Sequence, residues 1–339
     1  MQGALNEFIV AYMACLSVAK EPNVSTIGSD LSRLGNAFAL ERGRSYSSDE
    51  LPANFANYGF ELSFEVRAMP GPKPRIGITA EFSIECGSDT VLWVFSPESE
   101  GWREVLRWES PPYDTVAGAF WVFEYSMSPA DSNGEWYVVT KNIAPWCSST
   151  WSGIRYAVLR PVSGTPVPRV LLSADESIWW GNEDFGRVQA NREDFEVWYH
   201  AASIDGGVHN REYIRRYSIH GDSIRRIAPV AASPRDFVDE WINLPWPEAA
   251  QWSDRGSLGR LQFSHQDLHE ASSHRGFMFE SVYLCSGARD LYQVEVSLDD
   301  KDSYFFLVSA DGPLTMKAVS KRPRPGCGGN DLLDSMATN

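Results

Sequence analysis

Three groups of residues in this chain have types and spacings that could do chemistry. In the first, carboxylates stand beside indoles: Glu176, Glu183 and Asp184 flank Trp179 and Trp180, and Trp146 and Trp151 bracket a short loop. Cleavage of a glycosidic bond needs two carboxyl groups across a cleft, beside an aromatic platform for the sugar. Neighbouring residues on a strand point to opposite faces, so one of Trp179 and Trp180 can be exposed. The plainer reading packs that indole against a neighbouring sheet.

The second group is His265, His269 and His274. His265 and His269 are spaced to share a helix face, with Asp267 or Glu270 as a further metal ligand. A hydrolytic zinc helix would carry Glu directly after the first His, or directly before the second. Gln266 and Leu268 stand there instead. Surface histidines on a polar helix are the simpler explanation, so no metal and no other cofactor is expected. The third group is Arg215-Arg216 and Arg225-Arg226, two basic pairs on successive strands. Side by side they would make an anion site. The ordinary expectation is one outward guanidinium and one salt-bridged guanidinium in each pair.

Other chemistries lack their motifs. There is no Gly-x-Ser-x-Gly, no Walker loop and no dinucleotide fingerprint. The chain has 45 acidic and 30 basic residues, a net charge of −15. Such a surface repels phosphate backbones and anionic bilayers, which argues against nucleic acid and membranes as partners.

The elements that must hold these residues are strands. From Phe60 onward, sixteen short apolar and aromatic runs follow one another with turn residues between them. FELSFEV (60–66), RIGITAEFSI (75–84) and TVLWVFS (90–96) open the series. RVLLS (169–173) and SIWW (177–180) lie mid-way, and LYQVEVSL (291–298) lies near its end. Spacing this tight leaves no room for crossover helices, so the sheets are expected to be antiparallel. The predicted class is all-β over residues 20–320. That many hairpin-linked strands suits a β-propeller-like architecture, with two stacked β-sandwich domains as the alternative.

One stretch, 233–271, breaks the pattern. Ser233-Pro234 gives an N-cap followed by Pro at the first helical position, and a second short helix is expected from Leu258 to Ala271. The start of the chain allows two readings. Phe8 to Ala19 resembles a signal-peptide core ending in Ser17-Val18-Ala19, although Glu7 sits where positive charge belongs. The other reading is an N-terminal helix packed on the body. Export would leave four cysteines, Cys86, Cys147, Cys285 and Cys327, able to form up to two disulfides in any pairing. The location is therefore read as periplasmic or extracellular, with cytoplasmic as the alternative. Residues 321–339 are rich in Pro and Gly and read as a flexible tail.

The turns share a chemistry. Ser-x-Asp occurs at Ser173/Asp175, Ser203/Asp205, Ser297/Asp299 and Ser309/Asp311. These side chains bond nearby backbone N–H groups and tighten hairpin tips. The pattern resembles the Asp-box hairpins of β-propellers such as sialidases. After Ser203-Ile204-Asp205-Gly206-Gly207, however, His209 and Asn210 replace the Thr and Trp of that pattern. The sialidase arginine triad and Tyr/Glu arrangement are not found either. The resemblance therefore implies architecture and no activity. The function expected is an exported binding or scaffold module for a protein or glycan ligand. Alternatives are a glycan-active hydrolase or carbohydrate binder using the Trp/carboxylate residues, and a non-catalytic tandem-sandwich interaction protein.

Overall fold

Alternating and β-branched runs become strands because their two faces meet different surroundings. The structure is a computed structural model. It describes residues 2–16, 23–44, 62–69, 73–84, 87–99, 101–111, 121–145, 151–179, 186–205, 211–299 and 302–333. Most of it is antiparallel β-structure, in four four-stranded sheets. The first holds β1 (Ser63–Met69), β2 (Arg75–Ile84), β3 (Gly87–Glu98) and β4 (Gly101–Glu109). The second holds β5 (Trp121–Met127), β6 (Val138–Pro145), β7 (Trp151–Val162) and β8 (Thr165–Trp179). The third holds β9 (Arg187–Ala190), β10 (Asp194–Ala201), β11 (Arg211–His220) and β12 (Ser223–Arg226). The fourth holds β13 (Phe277–Leu284), β14 (Leu291–Leu298), β15 (Asp302–Ser309) and β16 (Thr315–Ser320). In every sheet the spatial order follows the chain order, so each is a meander of consecutive strands.

The chain divides into two compact units. The first comprises Met1–Trp180, Arg187–Phe195 and Ile219–Ile224, and the second comprises the remainder. In the first unit, α1 (Gln2–Ala14) and α2 (Val24–Arg44) cover one face of the first sheet. Leu5, Ile9 and Met13 of α1 join Ile76, Ile78, Trp93 and Phe95 in one buried cluster. Asn6 also accepts a hydrogen bond from the Trp93 indole at 2.8 Å. The described part of the apolar run that begins at Phe8 is thus a helix packed on the sheet. The opposite face of the sheet presents Leu92, Val94 and Leu106 to Tyr125, Met127 and Val138 of the second. Gly77 is required there, because a Cβ would collide with the Tyr125 ring.

In the second unit, the stretch 233–271 is helical as its caps predict. It forms α3 (Pro234–Asn243), α4 (Trp246–Ala249) and α5 (Leu258–Ser272). The Ser233 hydroxyl accepts from the Asp236 N–H at 3.1 Å, satisfying one free donor of the first turn. Phe237, Val238 and Trp241 of α3 pack on Val294, Val296 and Phe306 of the fourth sheet. Cys285 pairs with Cys327, a choice the spacing had left open. Around that disulfide the segment 321–333, read as a tail, is fastened: the Ser286 N–H donates to Gly326 O at 2.6 Å and the Leu332 N–H to Val282 O at 2.9 Å. Among the described residues no helix is long and apolar enough to cross a membrane.

The Ser-x-Asp motifs do not mark one repeated corner. Ser203/Asp205 follows β10, Ser297/Asp299 leads from β14 to β15, and Ser309/Asp311 leads from β15 to β16. Ser173 and Asp175 lie inside β8, where the sequence suggests a turn between two strands. Pairing with the long strand β7 keeps the segment extended, and Asp175 accepts from Arg155 Nε at 2.8 Å.

Candidate functional site

A groove of about 530 Å³ opens in the first unit, large enough for a small ligand. Its walls come from the end of α1, the edge strand β4, the β5–β6 connection and the β7–β8 hairpin. Val10, Val162 and Pro166 supply apolar surface, while Ser96, Trp102, Glu104 and Trp136 supply polar atoms and indoles. A one-residue bulge in the pairing of β3 with β4 accompanies this wall: Val94 faces Leu106, yet Phe95 faces Glu104. Bulges of this kind re-aim side chains at sheet edges.

The groove is bordered by buried polar atoms that make no hydrogen bond among the described residues. The Trp102 side chain is 4% exposed and its indole N–H has no acceptor. Glu104 Oε1 accepts no hydrogen bond, with Arg107 Nε standing 3.5 Å away. Burial raises the Glu104 carboxyl above its ordinary pKa. Arg107 opposes that shift and Glu109 adds to it. Behind the wall lies Arg75, 5% exposed, its guanidinium stacked 4.4 Å from the centre of the Trp136 ring. Neither Arg75 Nε nor Nη1 has a hydrogen-bond partner. Burial pushes Arg75 down to about 10, with no carboxylate among the described residues acting against it. Buried donors without partners are rare in folded proteins and call for a cause.

The second unit treats its buried cations differently. Arg211 Nη2 donates to Glu240 Oε2 at 2.6 Å, and its Nε lies 2.8 Å from Asp239 Oδ1. Arg226 Nη2 donates to Glu240 Oε1 at 2.8 Å, and Arg215 Nη1 bonds the same oxygen. Asp239 also accepts from the Ile204 N–H at 3.1 Å and from Asn243 at 2.9 Å. Burial raises the Glu240 carboxyl, but Arg215, Arg211 and Arg226 outweigh it and hold the group at about 2. One member of each basic pair, Arg215 and Arg226, thus converges on a single carboxylate, while Arg216 takes Glu196 at 2.8 Å.

The sequence-predicted site residues are not gathered at the groove. Glu176 lies in β8 opposite Ile154 and accepts from the Tyr156 hydroxyl at 3.5 Å. Trp151 and Trp179 are directly opposed in the β7–β8 register. Trp146, Trp180, Glu183 and Asp184 lie outside the described residues, as do Cys86 and Cys147. The histidines serve α3. His265 Nε2 lies 3.0 Å from both Trp241 O and Leu244 O, and His269 Nδ1 lies 2.7 Å from Ile242 O. Carbonyls only accept, so these nitrogens carry the hydrogen that a metal would have to replace. Burial, then the neighbouring His269, lowers the His265 pKa, which keeps that ring neutral. His274 is exposed beyond the end of α5. Among the described residues no cluster of three His, Cys, Asp or Glu side chains could hold a metal.

Sequence reasoning missed Arg75, Trp102, Glu104 and Trp136, all of which read as ordinary strand residues. The chain matches no known family model and no curated protein.

Proposed function

We propose that this protein is a β-propeller-like binding module that holds a saccharide in the groove of its first unit. The observation that carries this reading is the groove's chemistry: Trp102, Trp136 and Glu104 line it, and among the described residues the Trp102 indole N–H and Glu104 Oε1 make no hydrogen bond. Sugars combine apolar C–H faces with a dense set of hydroxyls. An indole beside unpaired donors and acceptors meets both needs. Hydrolysis needs two carboxyl groups flanking one bond, and Glu104 is the one carboxylate among the described lining residues, which favours binding over cleavage. The four meanders support the propeller-like reading, since propellers are built from blades of this connectivity. The Cys285–Cys327 disulfide supports an exported setting.

A glycan-array screen of the full chain, followed by titration of any retained glycan, tests the reading. Trp136→Ala should weaken binding roughly tenfold, the loss of one aromatic contact. An array that retains no glycan, or a glycan bound equally well by Trp136→Ala, would overturn it.

A further inference from the structure

Resting on that reading of the groove, we infer that its ligand carries a carboxylate, and that Arg75 is the residue that receives it. Arg75 combines three features that seldom occur together. Its side chain is 5% exposed, its Nε and Nη1 have no hydrogen-bond partner among the described residues, and it lies over an indole, 4.4 Å from the ring centre. A charge withdrawn from water is costly unless it is paired or bonded. Elsewhere this chain meets that requirement itself: Arg211, Arg215 and Arg226 all contact Glu240, and Arg235 contacts Asp205 at 3.2 Å. With 45 acidic residues available, the chain puts none of the described ones in ion-pair reach of Arg75. The counter-charge is left to something that comes and goes.

The groove is the route to it. Trp136, on which the guanidinium lies, lines the groove. Arg75 immediately precedes Ile76, which pairs with Phe95, and the next residue along β3, Ser96, also lines the groove. The cation is not itself a lining residue: it lies against the Trp136 indole that is one, screened from bulk water, where a charge-assisted hydrogen bond is strongest. The indole packed against the guanidinium restricts its freedom to swing away. In a protein of net charge −15, a buried cation also discriminates: an acidic ligand is repelled by the general surface and attracted here, where Arg103, the cation among the described lining residues, is already paired with Glu98 at 2.9 Å. A uronic-acid-bearing saccharide satisfies both halves of the site, with the sugar face on the indole and the carboxylate on Arg75.

The experiment uses the full chain and two readouts. Calorimetric titration compares a glucuronate-containing oligosaccharide with its neutral glucose counterpart. Separately, thermal unfolding is followed as acetate replaces chloride at constant ionic strength. Wild type should prefer the uronate at least about tenfold and gain thermal stability with acetate. Arg75→Met, which keeps the side chain's length and removes the charge, should bind both sugars within about twofold of each other and lose the acetate response. Arg75→Lys keeps the charge without the planar stack and should recover part of the preference. Neutral sugar bound as tightly as uronate by wild type, or a preference surviving in Arg75→Met, overturns the inference and leaves the groove reading standing. Failure of either sugar to bind, with an acetate response specific to Arg75, overturns the saccharide reading and leaves the anion site standing. An acetate response that is absent, or equal in wild type and Arg75→Met, removes the anion site itself.

Discussion

Buried arginines in the two units keep different company. In the second unit three guanidinia converge on Glu240, with Asp239 beside it, and each cation has a carboxylate from its own chain. In the first unit Arg75 is buried to a similar degree against an indole, with no carboxylate in ion-pair reach among the described residues. The first arrangement is a staple: it ties β11 and β12 to the helical segment and gives every guanidinium a carboxylate in ion-pair reach, although Arg211 Nε and Arg226 Nε make no hydrogen bond. The second has unspent donors. Burial alone does not separate structure from function; the accounting of partners does.

That contrast is most easily broken at Glu240. Glu240→Gln leaves three buried guanidinia short of charge and should cost about 3–5 kcal/mol in urea unfolding, the usual result of removing one partner of a buried ion pair. A loss below about 1 kcal/mol would mean the network is decorative. The same group sets an acid limit. Its folded value of about 2 lies below the ordinary 4.5, so its stabilisation is complete above pH 4.5 and disappears as pH falls through 2. The shift corresponds to roughly 3 kcal/mol. Urea midpoints should fall as pH drops between those values in wild type and fall less in Glu240→Gln.

Arg75→Met should move stability the other way. Removing a buried charge that has no partner should raise the unfolding free energy by about 1–3 kcal/mol in the ligand-free protein. A loss of similar size would show that Arg75 is another staple. The smallest effect is expected at the N-cap. Ser233→Ala should cost about 1 kcal/mol, because the Asp236 N–H loses its acceptor at the first turn of α3.

Much of the scaffold is legible in the sequence, because it rests on local patterns. RIGITAEFSI and LYQVEVSL become β2 and β14 with the predicted ends, and Ser233-Pro234 starts α3. Strand β9 is missed because four residues, Arg187–Ala190, give too short an alternation to detect. Strand β8 reads as two strands because Ser173 to Glu176 is polar, yet partnership with β7 holds it straight. Residues 321–333 read as free from their Pro and Gly content, which carries no record of the bond from Cys327 to Cys285. The groove is not legible at all. Arg75 opens a strand like any polar residue, and Trp136 sits 61 positions later in a connection. Their stacking exists only once the first two sheets face each other. An unpaired group is a property of the fold, visible only when every possible partner has been placed.

The most direct test follows the indole N–H signals of Trp102 and Trp136 by NMR, assigned through Trp→Phe variants, as a glucuronate-bearing oligosaccharide is added. The account predicts that these two signals move first and together, and that Arg75→Met abolishes the movement for the acidic sugar. Shifts confined to other indoles, such as Trp151 or Trp179, would place the ligand elsewhere and contradict it.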